Sequence, residues 1–260
     1  MSTPEIRICT WNLLAPEWTV AAGERDFFQH AHPWVEWEGR RVRLLSALDG
    51  LDADVVCLQE VSTAFYEADL RPLLLRRGYA PHFESRGAAG DHVGVVVAYR
   101  TDRFVGERLT GFGRSEDRGR LAAVCVRPVG GGPQLTVVSA HVKWSPVQET
   151  RRERLDQALS GFAGRDDGAQ LIAGDLNFDP HVHPDWPRWA AAGWRTSHPQ
   201  TDMPTWAADG RCERLDAVLG RGAIADLTGE PVAPLVAVPG LPSEANPSDH
   251  VPLVATFRLA

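Results

Sequence analysis

A short apolar run that ends in a glycine, an acid and an amide constrains the fold more than any other stretch. Leu171 to Ala173 predict a buried strand, and Gly174 indicates that the backbone approaches a neighbour closely where this strand ends. If the chain stays extended, Asp175 and Asn177 point to the same side. Such a pair suits a hydrated divalent cation or a phosphate ester. An isolated Asp-x-Asn sequence, however, more often marks a strand end at which the acid caps a turn.

The composition predicts a single α/β domain over residues 1–260. The length and the hydrophobic content of 43% support a sizeable core, and no linker divides the chain. The formal net charge of −7 argues against a protein that coats nucleic acid non-specifically, but not against an enzyme that binds phosphates at a local site. The 4 widely spaced cysteines indicate neither a zinc motif nor a disulfide framework.

The sequence gives no sign of a membrane or export signal. No apolar run is long enough to cross a bilayer, and the N-terminal residues lack a signal-peptide pattern. A cytoplasmic location follows by default. Nothing in the sequence identifies a protein partner, and we expect a monomer.

Regular elements are predicted along most of the chain. We expect helices over 34–51, 62–77 and 149–162, and strands over 93–99, 121–126, 135–140, 214–219 and 253–257. Irregular structure is expected over 84–92, 106–120 and 180–210. In the last of these, His181 and His183 could ligate a metal, but two loop histidines without a third partner are more often solvent-exposed.

Polar side chains stand at the ends of several predicted strands. The alternation that puts Ile6 and Ile8 on one face carries Asn12 to that face at the strand end. A second apolar run stops at Glu60, and a third is followed by His141. The full candidate set is Asn12, Glu60, His141, Asp175, Asn177, Asp216, Asp249 and His250. Each residue alone has an ordinary structural explanation, but so many at strand ends are unexpected by chance, because ligands of open α/β sheets bind there.

Six short motifs resemble, in order, those of the endonuclease/exonuclease/phosphatase superfamily. They are Thr10-Trp11-Asn12, Leu58-Gln59-Glu60, Ser139-Ala140-His141, Gly174-Asp175-Leu176-Asn177, Arg214-Leu215-Asp216 and Ser248-Asp249-His250-Val251-Pro252. The resemblance spans nearly the whole chain. It implies an α/β fold, a four-layer α/β/β/α sandwich in which two packed mixed β-sheets are flanked by helices, with the site at one end.

Within the superfamily, three stretches look most like the branch of poly(A) deadenylases, nocturnin and angel. They are Thr10-Trp11-Asn12-Leu13-Leu14-Ala15, Trp37-Glu38-Gly39-Arg40-Arg41 and His141-Val142-Lys143-Trp144-Ser145-Pro146. The resemblance implies substrate contacts for Lys143 and Pro146, the latter at a base-stacking position. Arg211 stands where the deadenylases carry an aromatic residue that stacks on adenine, which leaves adenine preference open and suits a phosphate-rich end.

The resemblance further implies a Mg²⁺- or Mn²⁺-dependent phosphoesterase that hydrolyses a phosphate ester by in-line attack of water. In this hypothesis Glu60, assisted by Asn12, holds the principal metal. Asp249 binds a second metal or supports the first. Asp175 orients or deprotonates the attacking water.

The remaining candidates are expected to contact the phosphate or to support those that do. Asn177 donates to a phosphoryl oxygen, and His141 and His250 contact the scissile phosphate. Asp216 fixes the tautomer and the orientation of His250.

The substrate implied first is RNA, either a 3′ tail or a 2′,3′-cyclic phosphate end. The tryptophans of 181–206 could offer base-stacking surfaces, or they could pack under the loop. A small phosphorylated metabolite or an inositol phosphate is the alternative substrate. A catalytically inactive binding module with the same fold is the alternative of another class.

Overall fold

The computed structural model describes residues 5–20, 28, 33–85, 92–110, 112, 120–162, 168–200, 203–208, 210–232, 235 and 240–260. Strands provide most of its regular structure. They are β1 (Ile6–Asn12), β2 (Val55–Ser62), β3 (Tyr79–Ser85), β4 (Val93–Arg100), β5 (Phe104–Leu109), β6 (Leu121–Pro128), β7 (Leu135–His141), β8 (Ala169–Asp175), β9 (Arg195–Thr196), β10 (Trp206–Ala208), β11 (Arg211–Glu213), β12 (Asp216–Gly222), β13 (Ile224–Gly229) and β14 (Leu253–Leu259).

Two sheets of 6 strands each have a parallel pair at the centre. The first has the order β13-β14-β1-β2-β4-β3, and the second has the order β5-β6-β7-β8-β12-β9. Strands β1 and β2 run parallel in the first sheet, as do β7 and β8 in the second. The two pairs place Asn12 beside Gln59 and His141 beside Asp175. Strands β10 and β11 form a separate antiparallel pair.

Helices cover the outer face of each sheet. They are Pro16–Val20, Trp37–Asp49, Thr63–Phe65, Arg71–Arg76, Gln148–Ser160 and Trp186–Ala191, and a π-helical turn, Tyr66–Leu70, joins the third to the fourth. Leu44 and Leu48 bury one helix against the first sheet. Leu155 and Trp189 bury two others against the second. Within the described residues, no helix combines the length and the apolar composition needed to cross a bilayer.

The inner faces of the two sheets pack on each other through an aliphatic core that becomes polar toward one end. Ile8 and Leu171, from different sheets, are both fully buried in that core. Further along, Gln59 Nε2 donates to Thr10 Oγ1 at 3.1 Å and to Ser139 Oγ at 3.0 Å. The hydrogen bond to Ser139 joins the first sheet to the second beneath the ends of the parallel strands.

The predicted four-layer sandwich is confirmed, since two mixed sheets pack together between helical layers. Residues 106–109 lie in β5 and residues 84 and 85 in β3, so the prediction of irregular structure was wrong there. It was also wrong for the helix Trp186–Ala191 and for strands β9 and β10 within 180–210. β5 is an edge strand whose Val105 is exposed, and it therefore lacks the alternation of a half-buried strand. Residues 86–91, 111 and 113–119 of the predicted loops lie outside the described residues.

Candidate active site

The end of β8 carries the central acid of the site. A Cβ on Gly174 would lie 1.8 Å from the carbonyl oxygen of Ala140 in β7, which confirms the predicted close approach. The strand ends at Asp175, and Asn177 has a φ of +58°, so the expectation of an extended chain through Asn177 was wrong. The turn-capping contact of Asp175 is present, and its role toward a cation or a phosphate ester stays a prediction. Its Oδ1 accepts from the Asn177 N–H at 2.8 Å and caps the turn, while its Oδ2 faces the other candidates.

Glu60 reaches the site from a β-bulge rather than from a strand end. Strand β2 continues to Ser62, and its register with β4 shifts between Leu58 and Val61. Glu60 itself has a φ of +52°. A bulge of this kind turns one side chain out of the regular alternation, and here it turns the acid toward the ends of β1 and β8. The prediction of an acid at a strand end was therefore wrong about the local structure.

Asn12 joins the two acids. Its Nδ2 donates to Glu60 Oε1 at 3.1 Å and to Asp175 Oδ2 at 2.9 Å. Its Oδ1 accepts from the Leu14 N–H at 3.0 Å, and the Ala15 N–H donates to Glu60 Oε2 at 3.2 Å. The amide oxygen is thus engaged with the backbone, and Asn12 fixes the spacing of the two carboxylates. Direct ligation of a metal by Asn12 stays a prediction.

His141 completes a compact cluster with the two acids. Its Nε2 lies 3.7 Å from Glu60 Oε1 and 3.7 Å from Asp175 Oδ2. One potential donor atom from each of the three residues lies within 4.8 Å of the others, and among the described residues this cluster is the candidate metal-binding group. The oxygens of Glu60 and Asp175 suit a hard divalent cation such as Mg²⁺ or Mn²⁺.

His250 approaches the same carboxylate from another loop and is held from behind by Asp216. Its Nε2 lies 3.8 Å from Asp175 Oδ2, and its Nδ1 lies 2.7 Å from Asp216 Oδ2. Thr205 Oγ1 donates to the same Asp216 oxygen at 2.7 Å and accepts from the Leu215 N–H at 3.0 Å. The hydrogen bond to Asp216 places the Nδ1 proton of His250 and leaves Nε2 facing the acid cluster. The contribution of Thr205 had no sequence signal.

Asp249 lies at the wall of the site, outside the compact cluster. Its Oδ2 accepts from Trp206 Nε1 at 2.9 Å, and its Oδ1 lies 3.4 Å from Ser248 Oγ. Ser248 Oγ also donates to the Asn12 carbonyl at 2.6 Å, which ties this loop to β1. Asp249 Oδ2 therefore accepts a hydrogen bond from the protein, while the single Ser248 hydroxyl proton goes to the shorter contact with Asn12. A role for Asp249 at a metal stays a prediction.

Arg40 is a buried cation behind the site. Its Nη1 donates to the carbonyl of Leu13 at 2.9 Å, in the segment after β1, and to that of Pro247 at 3.4 Å, in the loop that carries Asp249 and His250. Burial lowers the pKa of Arg40 to about 10, although the charges of Asp249 and Glu60 oppose that shift. The sequence placed Arg40 on a helix and in a motif but did not indicate that it supports the site.

The environment of the site raises the pKa values of Glu60, Asp175 and His250. Burial, reinforced by the charge of Asp249, raises the pKa of Glu60 to about 7. Burial likewise raises the pKa of Asp175. Burial alone would lower the pKa of His250, but the surrounding carboxylates, Asp216 first, hold that pKa well above its ordinary value. A bound cation would relieve the cost of keeping these buried carboxylates ionised.

A pocket of about 740 Å³ opens above these residues. Its lining includes Glu60, His141, Asp175, Asn177, Asp249 and His250, together with Leu14, Trp18, Phe28, Arg120, Lys143, Trp144, Trp206, Arg211, Glu213 and Leu215. Lys143 and Arg211 therefore lie where substrate contacts were predicted. Pro146 is exposed on the same loop as Lys143 but is not part of this lining.

The aromatic residues of 181–206 mainly serve packing. Trp189 and Trp194 are buried in the outer core of the second sheet, so for them the base-stacking expectation was wrong. His183 stacks on Trp189 with ring centroids 5.5 Å apart, and His181 meets Trp186 edge-on at 5.2 Å. The two histidines are thus half-buried among aromatic rings. Among the described residues, neither belongs to the candidate metal-binding group of Glu60, His141 and Asp175.

The family model for the Endonuclease/Exonuclease/phosphatase family matches residues 9–250. The chain belongs to this family. By its description the family comprises endonucleases, exonucleases and phosphatases, all of which hydrolyse phosphate ester bonds. The predicted resemblance to the superfamily is confirmed.

Curated relatives of this chain include nocturnin and an angel homolog, both of the predicted branch. The chain is 25% identical to nocturnin of Homo sapiens over 292 aligned positions, which cover 98% of this chain and 65% of nocturnin. It is 25% identical to Protein angel homolog 2 of Homo sapiens over 195 positions, which cover 68% of this chain and 35% of that protein. The chain thus spans between about a third and two thirds of the length of these curated relatives.

Solved structures of the same two proteins share the fold. A crystal structure of ANGEL2, a 2′,3′-cyclic phosphatase, in complex with adenosine-2′,3′-vanadate superposes with a TM-score of 0.85 at 19% identity, over 99% of this chain and 96% of that chain. The human nocturnin catalytic domain with bound sulfate superposes with a TM-score of 0.70 at 21% identity, over 99% and 94% of the two chains. These structures confirm the four-layer fold.

Proposed function

We propose that this protein is a Mg²⁺- or Mn²⁺-dependent phosphoesterase that hydrolyses phosphate esters at RNA ends. The observation that carries the proposal is the convergence of Glu60, His141 and Asp175 within 4.8 Å at a pocket, with the His250–Asp216 pair beside them. Family membership supports hydrolysis of a phosphate ester. The similarity to an enzyme described as a 2′,3′-cyclic phosphatase supports a nucleotide end as the substrate.

In this proposal Glu60 binds the metal and Asp175 activates the attacking water. Glu60 would hold the metal, with Asp175 and His141 supplying the nearest further donor atoms. When bound, the ion supplies polarisation of a phosphoryl oxygen and neutralises developing charge. Asp175 would also orient the attacking water or accept its proton, because its Oδ2 is the atom on which Asn12, His141 and His250 converge.

Positive and neutral donors around the pocket would stabilise the pentavalent phosphorus. His250 is held by Asp216 at Nδ1 and is therefore able to donate from Nε2 to a phosphoryl oxygen. A preorganised donor of this kind contributes about 10²- to 10³-fold to turnover. Asn177 donates through Nδ2 to the Val142 carbonyl at 2.8 Å, which fixes the amide where it lines the pocket.

A substrate panel tests the proposal. The panel contains oligo(A), mixed-sequence RNA with hydroxyl, 3′-phosphate or 2′,3′-cyclic phosphate ends, abasic duplex DNA and inositol phosphates, each with Mg²⁺, with Mn²⁺ and with EDTA. We expect hydrolysis of an RNA end that requires the metal, and the product ends identify the bond broken. Turnover of inositol phosphates alone would refute the RNA assignment and favour the metabolite phosphatase.

The variant Asp175→Ala tests the assignment of the site. Loss of the central carboxylate should lower kcat by at least about 10³-fold, since it removes both a metal contact and the group that handles the attacking water. The control Asp185→Asn changes an acid that pairs with Arg152 and Arg188 outside the pocket and should keep its turnover. Near wild-type turnover by a folded Asp175→Ala variant would refute the assignment.

A further inference from the structure

Two tryptophans remain exposed beside the acid cluster. Trp144 is 60% exposed and Trp18 is 38% exposed, whereas the other tryptophans of the chain are buried or half-buried. Both exposed tryptophans line the pocket that contains Glu60 and His250. They come from separate parts of the chain, one following β1 and the other following β7. Two large apolar rings thus meet water at the same pocket.

Packing does not explain this exposure. Indole rings that stabilise a fold do so by leaving water, and a large exposed apolar surface in a soluble protein commonly marks a binding site. In the same chain Trp11, Trp189 and Trp194 are each no more than 3% exposed, so this fold does bury tryptophans where they serve its core. The two exposed rings are therefore available to a ligand.

The backbone fixes both rings relative to the acids. Trp18 N–H donates to the Ala15 carbonyl at 3.1 Å, and the Ala15 N–H donates to Glu60 Oε2. Trp144 lies three positions after His141, and Arg154 holds this loop by donating to the Lys143 carbonyl at 2.7 Å. Each ring is thus connected through a short ordered segment to a residue of the acid cluster.

The rest of the lining identifies the class of ligand. Arg120, Lys143 and Arg211 supply positive charge to the same pocket. Cations combined with aromatic faces are typical of sites that bind single-stranded nucleic acid, in which the cations meet phosphates and the rings stack on bases. An inositol phosphate has phosphates but no flat aromatic face, and so would leave both rings unused. The pocket volume of about 740 Å³ is large enough for a nucleotide.

We propose that Trp144 and Trp18 form a stacking subsite for a nucleobase that adjoins the scissile phosphate of single-stranded RNA. This inference rests on the proposed RNA-directed function and adds the residues that recognise the base. Stacking depends on a π-face that every base has, so the subsite contributes affinity with little preference among bases.

The test compares each variant on matched substrates with and without the base. The substrates are a short RNA with the end hydrolysed best by the wild type, and the same RNA with an abasic residue beside the scissile phosphate. Trp144→Ala and Trp18→Ala should each raise KM on the normal RNA by roughly 5- to 150-fold, the range for the loss of one stacked base. On the abasic RNA the change should be less than about twofold, while Trp144→Phe should keep most of the affinity because it retains a ring.

A control and a binding measurement complete the design. Val147 is 55% exposed on the loop after Trp144 but does not line the pocket, so Val147→Ala should match the wild type on both substrates. In EDTA, fluorescence anisotropy of the labelled RNA should show the same weakening for Trp144→Ala without turnover.

The outcomes separate the two proposals. Equal losses on normal and abasic RNA, or unchanged KM and anisotropy, would overturn the stacking subsite while RNA hydrolysis by the wild type stands. If the wild type hydrolyses no RNA, both proposals fall. A base-dependent loss confined to the tryptophan variants supports the subsite.

Discussion

The hydrogen bond between Asp216 and His250 allows a test of the site that changes charge and almost nothing else. Asp216 is 1% exposed, and its Oδ2 meets both Thr205 Oγ1 and His250 Nδ1. Its Oδ1 is buried without a hydrogen-bond partner among the described residues. In Asp216→Asn the amide oxygen can keep both existing contacts while the NH₂ group takes the place of Oδ1. The variant therefore preserves shape and removes the negative charge behind the imidazole.

The expected loss follows from the kind of hydrogen bond removed. A hydrogen bond to a charged group contributes about 1.5–3 kcal/mol, against about 0.5–1.5 kcal/mol for a neutral one. The difference of about 1–2 kcal/mol corresponds to roughly 5- to 30-fold in rate, close to the 10- to 100-fold typical of carboxylates behind functional histidines. His250 can lose its proton in the variant, so no unpaired charge stays buried and the fold should tolerate the change.

The assay is initial-rate kinetics on the preferred RNA end with Mg²⁺, alongside urea unfolding. We expect kcat to fall roughly 5- to 30-fold while KM changes little, because His250 is proposed to act in the transition state. The control Thr205→Val removes a neighbouring donor to Asp216 but keeps its charge, and should cost less than Asp216→Asn. A folded Asp216→Asn variant with unchanged kcat, or a loss that appears only as KM, would refute the proposed role of His250.

Two further predictions concern the strand end and the metal. Gly174→Ala should lower the free energy of unfolding by at least about 3 kcal/mol in urea titrations, because its Cβ would overlap the Ala140 carbonyl. In the control Gly50→Ala the nearest contact of the new Cβ is 3.5 Å, and the free energy of unfolding should change by less than about 1 kcal/mol. Equal stability of the two variants would contradict the packing described. Mg²⁺ at ten times its Kd should raise the unfolding free energy by about 1.4 kcal/mol, and Glu60→Gln should abolish most of that gain in thermal melts. A metal effect that survives in Glu60→Gln would remove Glu60 from the proposed ligands.

The sequence predicted the positions of the site residues better than their local geometry. The alternation from Ile8 to Asn12 follows from the period of a strand. The bulge that turns Glu60 inward could not be predicted, because it depends on the register between β2 and β4, which the residues of β2 do not specify alone. Asn177 likewise leaves the extended region for a turn that Asp175 caps.

The aromatic residues show another limit of the sequence. Trp189 and Trp194 lie in a stretch without clear periodicity, and nothing in it indicated that they pack beneath helix and loop. Trp18 lies in none of the sequence motifs, and it reaches the pocket because its helix follows β1 directly. Burial of an aromatic ring is decided by contacts distant in sequence, so composition alone left stacking and packing open for the tryptophans of 181–206.

The buried acids argue against a fold that retains its shape but has lost catalysis. Asp175 and Asp216 are no more than 2% exposed, and Glu60 is held between Asn12 and the Ala15 N–H at the end of the inter-sheet core. Burying a carboxylate costs free energy unless it is paired, and the replacement of buried ionic groups by apolar ones is often neutral or stabilising. A binding module under selection only for its fold would gain from losing such acids. Their convergence on one point suits the proposed metal-assisted hydrolysis of a phosphate ester.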